Sequence, residues 1–169
     1  RLFACLLLPV LASTQALAQD ARTAVASNFL QAAQALGEDF HARTGHRIAF
    51  SAASTGKLHA QIRAGAPFDL LLAADAQTPR RLVDEGLAEK DTLHDYALGR
   101  LVLWSRDPSR VRDGEALLRE GEIPRLSIAN PALAPYGMAA REVLQRLGRW
   151  DALQPSLVLG ENVGQAMQF

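Results

Sequence analysis

The sequence predicts an α/β fold with parallel strands, and three observations carry that expectation. Short apolar runs alternate with stretches of helical periodicity along nearly the whole chain, the pattern of strands joined by crossover helices. FDLLLAA (68–74) is apolar on consecutive positions, as a strand buried on both faces is. The chain has 169 residues, 49% of them hydrophobic, enough for a sizeable core.

The elements follow in order. ARTAVAS (21–27) reads as the first strand. Phe29, Ala33, Leu36 and Phe40 recur at helical spacing, and Gly45 follows as a stop. RIAFS (47–51) is the second strand, and Leu58 and Ile62 face one way on the helix after it. The buried strand at 68–74 leads to a helix carrying Leu82 and Val83, ended by Gly86. KDTLHDYALG (90–99) is the candidate lobe boundary, after which LVLWS (101–105) restarts the strand pattern. A short acidic helix near 113–120 precedes the strand RLSIA (125–129). MAAREVLQRLG (138–148) is an amphipathic helix with Ala140, Val143, Leu144 and Leu147 on one stripe. SLVLG (156–160) is the last strand, and ENVGQAMQF opens a helix. No repeat or low-complexity segment appears.

Residues 2–12, LFACLLLPVLA, form an apolar run of signal-peptide length, too short to span a membrane. ALA at 16–18 fits the cleavage rule, which predicts a signal peptide over 1–18, cleavage near Ala18, and export. Cys5 is the sole cysteine and lies inside the run. No cysteine stands at the cleavage point as a lipoprotein anchor requires, and the mature chain has none for a disulfide. That chain carries 17 basic against 18 acidic residues. A balance this even gives no support for nucleic-acid or membrane-surface binding.

Four strand-to-helix junctions share one chemistry: VASNF (25–29), SAASTGK (51–57), NPALAPYGM (130–138) and LGENVGQ (159–165). Ligands of open α/β sheets sit at the carboxyl ends of strands, where helix N-termini present free N–H groups. Those positions carry Ser27, Asn28, Ser54, Thr55, Asn130, Tyr136 and Asn162, donors without formal charge. Ser54 or Thr55 can equally be an ordinary helix cap, and Pro135 an ordinary turn residue. As a set, the junctions suit a fully deprotonated tetrahedral oxyanion, which accepts hydrogen bonds and donates none. A protonated phosphate would call for an acceptor carboxylate. Glu161 is the one acid at the junctions; it is expected to face outward, with Asn162 as the cap.

Other chemistries find less support. His41, His46, His59 and His94 match no zinc spacing and read as surface residues. Ser27, His59 and Asp75 suggest a hydrolase triad, but no serine sits in a G-x-S-x-G elbow. Asp69 and Asp75 read as helix caps or lobe-interface groups, and Lys57 as a solvated helix lysine. Neither a P-loop nor a dinucleotide fingerprint occurs. A regulator's effector domain would need an upstream helix-turn-helix in place of the export signal.

Taken together, VASNF, SAASTGKLHAQIRAGAPFDLLLAAD (51–75), ANPALAPYGMAAREVLQRLGRWDAL (129–153) and LVLGENVGQAMQF (157–169) resemble the periplasmic molybdate- and tungstate-binding proteins of ABC uptake systems. The resemblance implies a two-lobed periplasmic binding protein of type II, with lobe 1 over 19–97, lobe 2 over 98–169 and the oxyanion in the cleft between them. It places the ligand donors at Ser27, Asn28, Thr55, Tyr136 and Val163, the last two through backbone N–H groups. Thr55 stands where serine is common in the family. No catalytic residue, cofactor or direct cation ligand is implied, since molybdenum is held only as its oxyanion. The expected partners are the small oxyanion and a membrane permease, not nucleic acid, and the expected state is a monomer in the periplasm. Family members continue beyond the point matching Phe169 by a segment that completes the first lobe, and some take a further tyrosine donor from it.

Overall fold

The computed structural model describes residues 20–169. The expected signal peptide, its cleavage point and Cys5 lie outside the described residues. Strands β1 (Ala21–Ala26), β2 (Ile48–Ala53) and β3 (Leu70–Leu72) form a parallel sheet in the order β2-β1-β3. Val25 on the central strand pairs with Ala52 on one side and Leu72 on the other. A second parallel sheet pairs β4 (Leu126–Ala129) with β5 (Leu157–Gly160), Ile128 opposite Leu159. Helices follow the strands as α1 (Leu30–Thr44), α2 (Thr55–Arg63) and α3 (Gln77–Asp84) in the first lobe. The second lobe carries α4 (Gly114–Glu120), α5 (Pro135–Arg146), α6 (Trp150–Leu153) and α7 (Val163–Ala166). This is the two-lobed α/β architecture expected from the resemblance.

Because β1 is flanked on both sides, its residues Thr23–Ala26 are all buried. Small side chains there let α2 approach closely, and Leu58 of α2 is completely enclosed. Burying a leucine contributes about 1.5–3 kcal/mol, so this contact is a main tie between helix and sheet. Helix α1 ends where expected: Gly45 takes φ +76°, and its N–H donates to the His41 carbonyl at 2.8 Å.

Four expectations need correction. LVLWS (101–105) is not a strand: it pairs with neither sheet, and Val102 is 79% exposed. Apolar alternation makes a strand only where a neighbour offers hydrogen bonds, and none does among the described residues. β3 covers only the middle of FDLLLAA and bonds to β1 alone, so Leu70 is half exposed rather than buried. The inward seam of α1 runs through Leu30, Ala33, Gly37 and His41, leaving Leu36 and Phe40 outside. Gly37 sets this rotation, since a methyl there would come within 2.9 Å of the Phe50 ring. Finally, α5 begins at Pro135, a turn before the amphipathic pattern, because proline at N1 gives up an N–H that has no helical partner anyway.

Gly137, in the first turn of α5, is pressed onto the end of β4. A methyl there would overlap the Ala129 carbonyl oxygen and sit 2.8 Å from the Asn130 carbonyl carbon. Backbone cannot swing aside as a side chain can, so Gly137→Ala is expected to destabilise by about 1–3 kcal/mol or more. Urea unfolding midpoints measure this, and an unchanged midpoint would mean that α5 does not seat on β4 as described.

Candidate functional site

All five strands end at one small recess between the two sheets. Ala26, Ser27 and Asn28 come from the end of β1, Ser54 and Thr55 follow β2, and Ala74 follows β3. Ala134, Pro135 and Tyr136 arrive from beyond β4, and Val163 from beyond β5. The first sheet reverses its strand order at β1, and such switch points open a crevice at the carboxyl ends. The structure therefore brings Ser27, Asn28, Thr55, Tyr136 and Val163 together. A wider groove beside Arg149 is more open, and that guanidinium is already occupied by the carbonyls of Arg119 at 2.6 Å and Gly121 at 2.9 Å.

The lining is rich in donors. Ser27 gives its N–H to the Ala53 carbonyl at 3.0 Å, extending the β1–β2 ladder, so only its hydroxyl is left for the recess. The N–H groups of Asn28, Thr55, Tyr136 and Val163 have no acceptor among the described residues. For the last three the reason is position: they lie in the first turns of α2, α5 and α7, where no preceding carbonyl is in reach. The Thr55 hydroxyl accepts from Ala74 N–H at 3.0 Å, which fixes its rotamer and leaves its own proton to donate. Asn162 Oδ1 caps Gln165 N–H at 3.0 Å, as expected. Asn130, one of the junction donors, is absent from the lining; its Oδ1 accepts from Ala132 N–H at 2.9 Å and shapes the turn.

Two contacts from adjacent residues of α2 join the lobes. Gly56 N–H donates to the Leu133 carbonyl at 3.0 Å, an approach that a side chain would block, since a methyl on Gly56 would lie 2.8 Å from that oxygen. Lys57 Nζ meets Glu161 Oε2 at 2.7 Å. Glu161 thus points away from the lining as expected, while Lys57 is paired rather than simply solvated. Among the described residues, no acidic or basic side chain lines the recess. Tyr96 passes close by on the connecting segment, its ring 4.8 Å from that of Phe29 and its hydroxyl donating to the Ala73 carbonyl at 2.6 Å. Burial, with Tyr136 and Asp75 nearby, pushes its phenol pKa up, so it remains a neutral donor.

The residues of the imagined triad are engaged separately. Asp75 accepts from the Thr78 N–H at 2.5 Å and caps the start of α3. Asp69 is no helix cap; it accepts from Arg22 N–H at 2.7 Å at the edge of β1. His59 is buried, not on the surface, with Nε2 3.3 Å from Glu85 Oε2 but outside hydrogen-bond geometry. Its position on the inner side of α2 accounts for this, because Leu82 and Glu85 of the α3 region close over that face. Burial works to raise the Glu85 carboxyl, but the Arg81 hydrogen bond and the charges of Arg63, His59 and Arg81 outweigh it and hold the pKa below the usual range. Among the described residues, no helix is long and apolar enough to cross a membrane.

Ser54, one of the junction donors though not one of the five positions that the resemblance implies, also lines the recess. Ala26, Ala74 and Ala134 also line it, and the only sequence signal for them is small size at a junction.

The family profile for bacterial extracellular solute-binding proteins matches residues 21–169. The molybdate-binding protein ModA of Rhodobacter capsulatus is 44% identical over 146 residues, 86% of this chain and 58% of that protein. ModA of Azotobacter vinelandii is 43% identical over 152 residues, 90% of this chain and 60% of that protein. The solved structure of the Azotobacter vinelandii periplasmic molybdate-binding protein superposes with a TM-score of 0.84 at 36% identity, over 88% of this chain and 65% of that one. The chain thus spans about three fifths of the length of the curated relatives it matches. With the profile covering all but one of the described residues, the chain belongs to the bacterial extracellular solute-binding protein family.

Proposed function

We propose that this protein captures molybdate, and tungstate with it, in the periplasm and delivers the anion to the membrane permease of an ABC importer. The observation that carries the reading is the recess itself: hydroxyl and amide donors converge from four strand ends, with no charged side chain among the described residues in the lining. A dianion leaving water must regain its hydrogen bonds. Fixed amides and hydroxyls supply them without a neutralising cation. The names of the matching relatives support molybdate as the anion.

In this reading Ser27 donates through its hydroxyl, Asn28, Tyr136 and Val163 through backbone N–H, and Thr55 through both. Lobe 1 covers 19–97 and lobe 2 covers 98–169, and they close about the connecting segment, burying the anion and creating the surface that the permease recognises. The protein acts as a monomer, uses no cofactor and catalyses no reaction. Sulfate has the same charge and the same four acceptor oxygens, so discrimination against it comes from cavity size. Phosphate in its protonated form would leave a proton without a carboxylate acceptor, since none lines the recess among the described residues.

Isothermal titration of the full-length protein with molybdate, tungstate, sulfate and phosphate is the direct test. Tight binding of the first two and weak binding of the others is expected; equal or tighter sulfate or phosphate binding would overturn the assignment. Thr55→Val is expected to lose about 1.5–3 kcal/mol of molybdate affinity, the size of one hydrogen bond to a charged group. Arg63→Ala, farther along α2 and facing Glu85, should leave affinity unchanged. Gly56→Ala would force its methyl against the Leu133 carbonyl and hold the lobes apart, costing about 1–3 kcal/mol of binding. A wild-type dissociation constant in that variant would show that the contact is not needed for closure.

A further inference from the structure

Ser54 occupies the N-cap of α2, where a serine hydroxyl ordinarily accepts from the N–H two or three residues ahead. Here it makes no such bond. Its Oγ is buried and has no hydrogen-bond partner among the described residues, and the residue is only 3% exposed. The N–H two residues ahead belongs to Gly56, and the Leu133 carbonyl from the other lobe has taken it at 3.0 Å. The serine has lost that capping partner to the interlobe contact, and it lines the recess. An enclosed hydroxyl without a partner is costly, whereas one that lines a recess of hydrogen-bond donors has a use. The neighbouring Thr55 hydroxyl differs in one respect: it is already oriented by Ala74 N–H.

We infer that the Ser54 hydroxyl, enclosed at the recess with no partner among the described residues, is a further donor to the bound tetrahedral oxyanion. The inference rests on the oxyanion reading of the recess.

The test is titration of full-length wild type, Ser54→Ala and Ser54→Gly with sodium molybdate, alongside the thermal midpoints of the ligand-free proteins. Both variants are expected to raise the dissociation constant about tenfold or more, with ligand-free midpoints close to wild type. A purely structural serine would do the reverse, lowering the midpoint and sparing affinity. Wild-type affinity in both variants would overturn the role of Ser54 while leaving the oxyanion site intact. If the wild type binds none of molybdate, tungstate, sulfate and phosphate, the oxyanion reading fails and this inference fails with it.

Discussion

The hydrogen bond from Gly56 N–H to the Leu133 carbonyl is the contact on which the site depends. It ties the first turn of α2 to the turn leading into α5, and so sets the carboxyl ends of one sheet against those of the other. Without it, Thr55 and Tyr136 would belong to two separate surfaces. The bond also requires glycine at 56, because the carbonyl oxygen occupies the space that a Cβ would need. One hydrogen bond of this kind contributes about 0.5–1.5 kcal/mol.

Charge is arranged around this contact rather than within it. Glu161, the acid closest in sequence to Val163, is drawn aside by Lys57, and both are substantially exposed. A pair so exposed adds little to stability; its effect is to hold a negative charge outside the recess. Asp75 is occupied at the start of α3. On the far half of α2, His59 and Arg63 lie against Glu85. Helix α2 therefore turns its N-terminus, with free amides and a partial positive charge, towards the recess, and its ion pairs elsewhere.

A parallel α/β fold produces such a place almost automatically. Its strands all end on one side, and each is followed by a helix whose first N–H groups have no partner. What is particular here is how those amides are kept from being satisfied internally. Pro135 removes one at the start of α5, Asn162 caps beyond Val163 rather than at it, and Ser54 leaves α2 uncapped.

The sequence by itself determined the order of strands and helices, the junctions where chemistry collects and the neutral character of the donors. These are local properties, readable from periodicity, turn residues and residue type. The tertiary structure decided the rest. LVLWS looks like a strand and is not one, because a strand exists only beside a partner. FDLLLAA looks buried but forms an edge, and His59 looks like a surface histidine but is enclosed. Lys57 finds Glu161 across 104 positions of sequence, and Ser54 loses a capping partner to a carbonyl from the other lobe. Periodicity cannot register such facts, because each depends on which atoms distant in sequence come to lie beside one another.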